Sequence, residues 1–107
     1  MPVSAVNTFR LRSGVTAEQF ERFSADLDRP TCLAFDVVLG FEVYLVDDGG
    51  PGTDVVEVMT VSSWPEWERV RDSSPELKPV VERFDELVEP GSVTTLLTRK
   101  SPLPQEI

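Results

Sequence analysis

The sequence predicts an α+β domain of the ferredoxin-like sandwich plan, ordered strand, helix, strand, strand, split helix, strand (βαββαβ). Three observations predict it. Apolar residues alternate with a period of two in four short stretches, at 4–12, 37–46, 54–61 and 93–99. Two other stretches, 16–28 and 74–88, carry an apolar stripe at helical spacing. Clusters of turn formers separate them. We expect one domain over 1–100, a tail at 101–107, and helices on one face of about four antiparallel strands.

The first strand alternates Ala5, Asn7, Phe9 and Leu11 against Val6, Thr8, Arg10 and Arg12. Asn7 is the odd member, a carboxamide on the face assigned to the core. It reads either as a satisfied buried amide or as a donor lining a pocket. Ser13-Gly14 marks a turn. Thr16 and Gln19 then form a capping box, in which each side chain meets the other residue's backbone N–H. Phe20, Phe23 and Leu27 make one stripe. Pro30 disfavours the helical conformation in the residue before it. The helix is therefore expected to end by Asp28 or Arg29, with 31–36 resuming as a short turn of helix. That corner is the expected wall of any small-molecule site.

Residues 37–46 place Val37, Leu39, Phe41, Val43 and Leu45 on one face. Val38, Gly40, Glu42, Tyr44 and Val46 take the other, which is semi-apolar. A strand apolar on both faces needs a cover on each. The chain's helices supply one, and a second subunit is the simplest other. Asp47 to Thr53 reads as a hairpin loop. In the third strand, 54–61, Glu57 shares its face with Val55, Met59 and Val61. A carboxylate there lies at a sheet edge, at an interface or in a cavity. Buried without a cation, its pKa rises towards the range useful in proton transfer.

Ser63-Trp-Pro-Glu66 reads as a second capping box opening a short helix that ends near Asp72. Ser74-Pro-Glu starts another, with Leu77, Val80, Val81, Phe84, Leu87 and Val88 as its core stripe. Trp64 and Trp67 read as packing residues before ligand platforms. Pro90-Gly91 breaks the helix, and 93–99 is the last strand. The uncovered sheet face would carry Val6, Val38, Tyr44, Val56 and Val58. Burying it sheet to sheet gives a dimeric α/β barrel, hence an expected homodimer.

Composition narrows the function. Nineteen acidic against ten basic residues give a net charge of −9, and the basic ones form no stripe. Such a chain repels phosphate backbones and anionic lipid, so nucleic acid and membrane surfaces are not expected partners. No apolar run is long enough to span a bilayer and no leader is recognisable, so a cytoplasmic location is expected. The lone Cys32 suits a reducing compartment. There is no histidine, which removes Ser-His-Asp and Cys-His constellations and histidine metal sites. We expect no metal and no cofactor. Gly49-Gly50-Pro51-Gly52 lacks the lysine of a phosphate loop. The candidate polar groups that remain are Asn7, Asp28, Cys32 and Glu57, with tyrosine or tryptophan. Cys32 lacks a base partner and is a weak nucleophile.

One resemblance runs through most of the chain. Asn7-Thr-Phe-Arg-Leu-Arg-Ser-Gly14, Phe20-Glu-Arg-Phe23, Asp28-Arg-Pro-Thr-Cys32, Gly40-Phe-Glu-Val43 and Asp54-Val-Val-Glu-Val58 stand in order. Trp67-Glu68, Pro79-Val-Val-Glu-Arg-Phe84 and Ser92-Val93 continue them. Together they resemble the RedY-like (HapK) family of dimeric α/β barrels over about residues 5–98. That family accompanies bacterial pathways to prodiginines and tryptophan-derived bisindoles. The resemblance implies a role on a reactive aromatic or indolic intermediate, with cyclisation the most specific expectation. It carries over Asn7 to orient the substrate, Asp28 or Glu57 to move a proton, Pro30 to fix the corner, and Cys32 and Trp67 as substrate-binding residues. Two other functions stay open. One is a cofactor-free monooxygenase, by analogy of fold. The other is a non-catalytic binder that protects the intermediate.

Overall fold

A computed structural model describes residues 2–48 and 52–101. The middle of the expected hairpin loop and residues 102–107 of the expected tail lie outside the described residues. The strands are β1 (Val3–Phe9), β2 (Val38–Leu45), β3 (Val55–Val61) and β4 (Thr94–Thr98). They form one antiparallel sheet in the order β2-β3-β1-β4. The helices are α1 (Ala17–Phe23), α2 (Arg29–Leu33), α3 (Trp64–Ser73) and α4 (Lys78–Leu87). A π-helical turn (Ser24–Asp28) joins α1 to α2, and a 3₁₀ turn (Pro75–Leu77) joins α3 to α4. This is the ferredoxin-like α+β plan.

Register fixes which side chains share a face. Towards the helices, the rows are Phe41–Met59–Ala5–Leu97, then Val43–Glu57–Asn7–Thr95, then Leu45–Val55–Phe9. Away from them, the rows are Gly40–Thr60–Ser4–Thr98, Glu42–Val58–Val6–Leu96 and Tyr44–Val56–Thr8–Thr94. At one end the helix-side space is filled by large rings. Phe9 stacks edgewise on Phe84 at 5.1 Å and packs on Phe20 at 5.4 Å. Beside them β1 offers only Ala5 and Asn7, too short to reach the helices, and the layer is left open there.

Several expectations are corrected by this geometry. The helix does not stop at Asp28 or Arg29. It continues through Pro30 because the chain widens first: the Arg29 N–H bonds the Ser24 carbonyl five residues back. A wide turn relieves the clash between a proline ring and the carbonyl four residues earlier, which otherwise breaks a helix. The strict alternation expected for 37–46 also fails. A bulge between Val38 and Gly40 leaves Leu39 as an extra residue, so Val38 is buried and Leu39 is exposed. The open face thus carries Leu39 rather than Val38, with Tyr44 and Leu96 also exposed.

The first strand ends at Phe9, and Leu11 makes only an isolated bridge to Val88. The capping box at Thr16–Gln19 is complete. The second is half made: Ser63 accepts from the Glu66 N–H, while the Glu66 carboxylate turns to Arg69. In the last helix Val81 is half out of the core, and Val88 lies beyond the helix end.

Candidate functional site

The opening between sheet and helices is a cavity of about 400 Å³. Its walls are mostly apolar: Ala5, Phe41, Met59, Trp64, Trp67, Leu77, Val80, Val81 and Phe84. Its polar lining is Asn7, Asp28, Cys32, Glu57, Arg71 and Thr95. The buried members, Asp28, Cys32 and Glu57, form the deep end. Exposed Val81, Arg71 and Thr95 mark the mouth.

Each polar group has a local reason for its place. Glu57 and Asn7 face each other across the β3–β1 pair, and Thr95 follows on β4. The Thr95 hydroxyl donates to Asn7 Oδ1 at 2.6 Å. That bond occupies the amide oxygen and leaves the Asn7 NH₂ as the free donor of the side chain. Asp28 closes the π-helical turn and is 6% exposed. One turn on, the Cys32 thiol donates to Asp28 Oδ1 at 3.4 Å.

Glu57 is 5% exposed, and its Oε2 has no hydrogen-bond partner. A buried unsatisfied oxygen costs roughly 1–3 kcal/mol even when neutral, and far more when ionised. Burial therefore pushes the Glu57 carboxyl up to about 8, and the like charge of Asp28 adds to the rise. Asp28 is pushed up to about 6 by burial, held back by the Cys32 thiol and by Arg29. At pH 7 the deep end thus holds a mostly protonated Glu57 beside a mostly ionised Asp28. Two carboxyls with separated pKa values supply an acid and a base in one cavity. Burial and both carboxylates raise the Cys32 thiol well above its ordinary range, so it is a hydrogen-bond donor and not a nucleophile.

Among the described residues no group of three His, Cys, Asp or Glu side chains is placed to hold a metal ion. No described helix is long and apolar enough to cross a membrane.

The profile of the family described as REDY-like protein HapK matches residues 3–100. The chain belongs to that family. No curated protein matches the sequence. Among solved structures, the fold is similar to HapK from Hahella chejuensis at TM-score 0.80 and 19% identity, covering 98% of each chain. A dimeric protein of unknown function and ferredoxin-like fold from Bacteroides fragilis aligns at TM-score 0.70 and 16% identity, over 92% of this chain and 96% of that one. A dimeric ferredoxin-like protein of unknown function from Thermobifida fusca aligns at TM-score 0.71 and 13% identity, over 92% and 90%. The last two of these neighbours are described as dimers.

Of the residues singled out from sequence, Asn7, Asp28, Cys32, Glu57 and Trp67 meet in the one cavity. Pro30 does not. It is exposed and absent from the lining, because the wide turn points Asp28 inward and leaves the proline outside. Its contribution is to the backbone, not to a ligand. Sequence reasoning missed Thr95 and Arg71. Thr95 could have been found only through the pairing of β4 with β1, which depends on the helix between them. Arg71 sits on a helix face that reads as solvated, and its guanidinium is held by Asp72 at 3.2 Å and Glu68 at 3.8 Å.

Proposed function

We propose that the chain is a cofactor-independent cyclase acting on a reactive aromatic intermediate, a tryptophan-derived (bis)indole imine being the substrate the family membership favours. The observation that carries this reading is the pair of buried carboxyls at the end of an apolar cavity, one of them with an unpartnered oxygen. A cavity of this size falls within the range of about 300–1,000 Å³ usual for small-molecule sites. Trp64, Trp67, Phe41 and Phe84 offer flat apolar walls for aromatic rings.

In this reading protonated Glu57 gives its proton to the imine nitrogen. The electrophilic carbon is then attacked by the enamine or indole carbon of the second indolic unit of a bisindole imine, and a carbon–carbon bond closes the ring. The Asp28 carboxylate takes the proton released from the attacking centre. No electrons are gained or lost overall, and proton return from Asp28 to Glu57 through solvent resets the pair. The Asn7 NH₂, fixed by Thr95, holds a substrate acceptor near Glu57. The open sheet face, with Leu39, Tyr44 and Leu96 exposed, supports assembly as a homodimer through that face. The single free thiol fits a reducing, cytoplasmic setting.

The test is a product profile by liquid chromatography and mass spectrometry. The imine is formed in situ by an amino-acid oxidase acting on tryptophan, with catalase present. Intact protein should yield a new product of unchanged oxidation state, in excess over protein. Glu57→Gln and Asp28→Asn should each cut its rate at least a hundredfold. A product heavier by oxygen would assign monooxygenation instead, and a profile equal to that with boiled protein would contradict turnover.

A further inference from the structure

The deep end of the cavity holds two acids and no internal cation. Glu57 Oε2 has no partner, although the side chain is almost fully buried. The charged and titratable groups packed around it are few. The π-helical turn brings Asp28, and α2 brings Cys32, whose thiol already donates to Asp28. From α3 comes Arg71, the only basic residue in the lining, and it is paired outward with Asp72 and Glu68. Neighbouring positions on β1 and β2 in the same row are Asn7 and Val43, which carry no charge. Arg29 acts on Asp28 but stands outside the lining, its Nε donating to Ser24 Oγ at 3.0 Å. The fold therefore leaves an acceptor site at the end of an aromatic-walled slot, with negative charge beside it and no free cation among its lining residues.

We propose that the ligand of this cavity carries a cationic nitrogen, an ammonium or iminium group on an aromatic body, and that this nitrogen occupies the space between Glu57 and Asp28. The inference rests on reading the cavity as a ligand site and deepens it by naming the charge of the nitrogen that the site holds. Binding converts the neutral Glu57 acid to a carboxylate. An imine takes that O–H proton on its own nitrogen, whereas a ligand that arrives as an ammonium displaces it to solvent, and in both cases the ligand N–H groups then bond Oε2. A charge-assisted bond of this kind is about twice as strong as a neutral one. The aromatic body of the ligand lies against the apolar walls that Trp64 and Trp67 help to form.

The experiment is calorimetric titration of the intact protein at pH 7 with three indoles of similar size: tryptamine, a cation; tryptophol, neutral; and indole-3-propionate, an anion. Tryptamine should bind at least tenfold more tightly than tryptophol, and indole-3-propionate most weakly. Repeating the tryptamine titration in buffers of different ionisation enthalpy should show release of about one proton per ligand, because Glu57 is mostly protonated at rest. This readout needs no variant. Glu57→Gln should abolish the proton release and weaken tryptamine at least threefold while tryptophol binding stays within threefold of the wild type; proton release that persists in this variant overturns the inference. Equal affinity for tryptamine and tryptophol, or no binding of either, overturns the inference. Turnover in the product assay without this preference removes the inference and leaves the cyclase. The preference without turnover leaves the inference and removes the cyclase.

Discussion

Glu57 is the residue whose surroundings decide the most. It stands in the middle of a central strand, where valine or isoleucine would pack without cost. Keeping a carboxyl there makes the folded state hold a proton that the unfolded chain releases. The folded value is raised from 4.5 to about 8, so this stabilising contribution is full below pH 4.5 and is lost as pH rises through 8. Asp28 behaves alike in a lower window, from 3.8 to about 6. Global stability should therefore fall between pH 4 and pH 8. Glu57→Gln should flatten the part above pH 6 and leave the variant more stable than the wild type at pH 9, by on the order of 3 kcal/mol. Denaturant melts from pH 4 to 9 check this; a wild type that gains stability over that range would contradict it.

The wide turn does for the helix what Glu57 does for the strand: it trades regularity for a placed group. The extra backbone residue between α1 and α2 carries the helix past Pro30 and turns Asp28 to the cavity. Pro30 is exposed, so Pro30→Ala should leave the melting temperature within about 3 °C. It restores an N–H that can bond four residues back, which competes with the five-residue bond of Arg29 and loosens Asp28. Product formation should drop at least fivefold, with kcat affected more than KM. The capping box at Thr16, the stripe of Phe20 and Phe23, and the alternation of 55–61 were all legible in the sequence, because each depends on neighbours within a few residues. Pattern alone also brought out Glu57 as a charge in an apolar run. The short turn of helix after Pro30 was legible, but its unbroken continuation from α1 through the wide turn, and the bulge at Leu39, were not. Both insert one residue into a regular period, and a local pattern cannot show which contacts make that worthwhile. Thr95 was hidden for a related reason, since its meaning lies in a partner 88 residues away.

Over the whole molecule, the sheet separates two tasks. Its helix side makes the cavity, from the residues of one chain. Its other side is an apolar surface of Val6, Val58, Leu96, Tyr44 and Leu39 with no cover among the described residues. Light scattering should give twice the monomer mass for the wild type. Val58→Asp combined with Leu96→Asp places like charges in that surface and should give the monomer mass with an unchanged far-ultraviolet dichroism spectrum. Because the cavity opens on the other face, the monomeric variant should bind tryptamine within threefold of the wild type. A monomeric wild type would contradict the sheet-to-sheet assembly and leave the cavity chemistry standing.

The acid–base pair is read out directly by a carboxyl titration followed by carbon-13 NMR, with Asp28→Asn and Glu57→Gln used to assign the two signals. Glu57 should show a midpoint near 8 and Asp28 one near 6. The Glu57 midpoint should fall in the Asp28→Asn variant, where the like charge is gone. Midpoints for both groups below 5 would mean that the cavity holds two ordinary ionised carboxylates, and the acid–base pair on which the proposed chemistry depends would not exist.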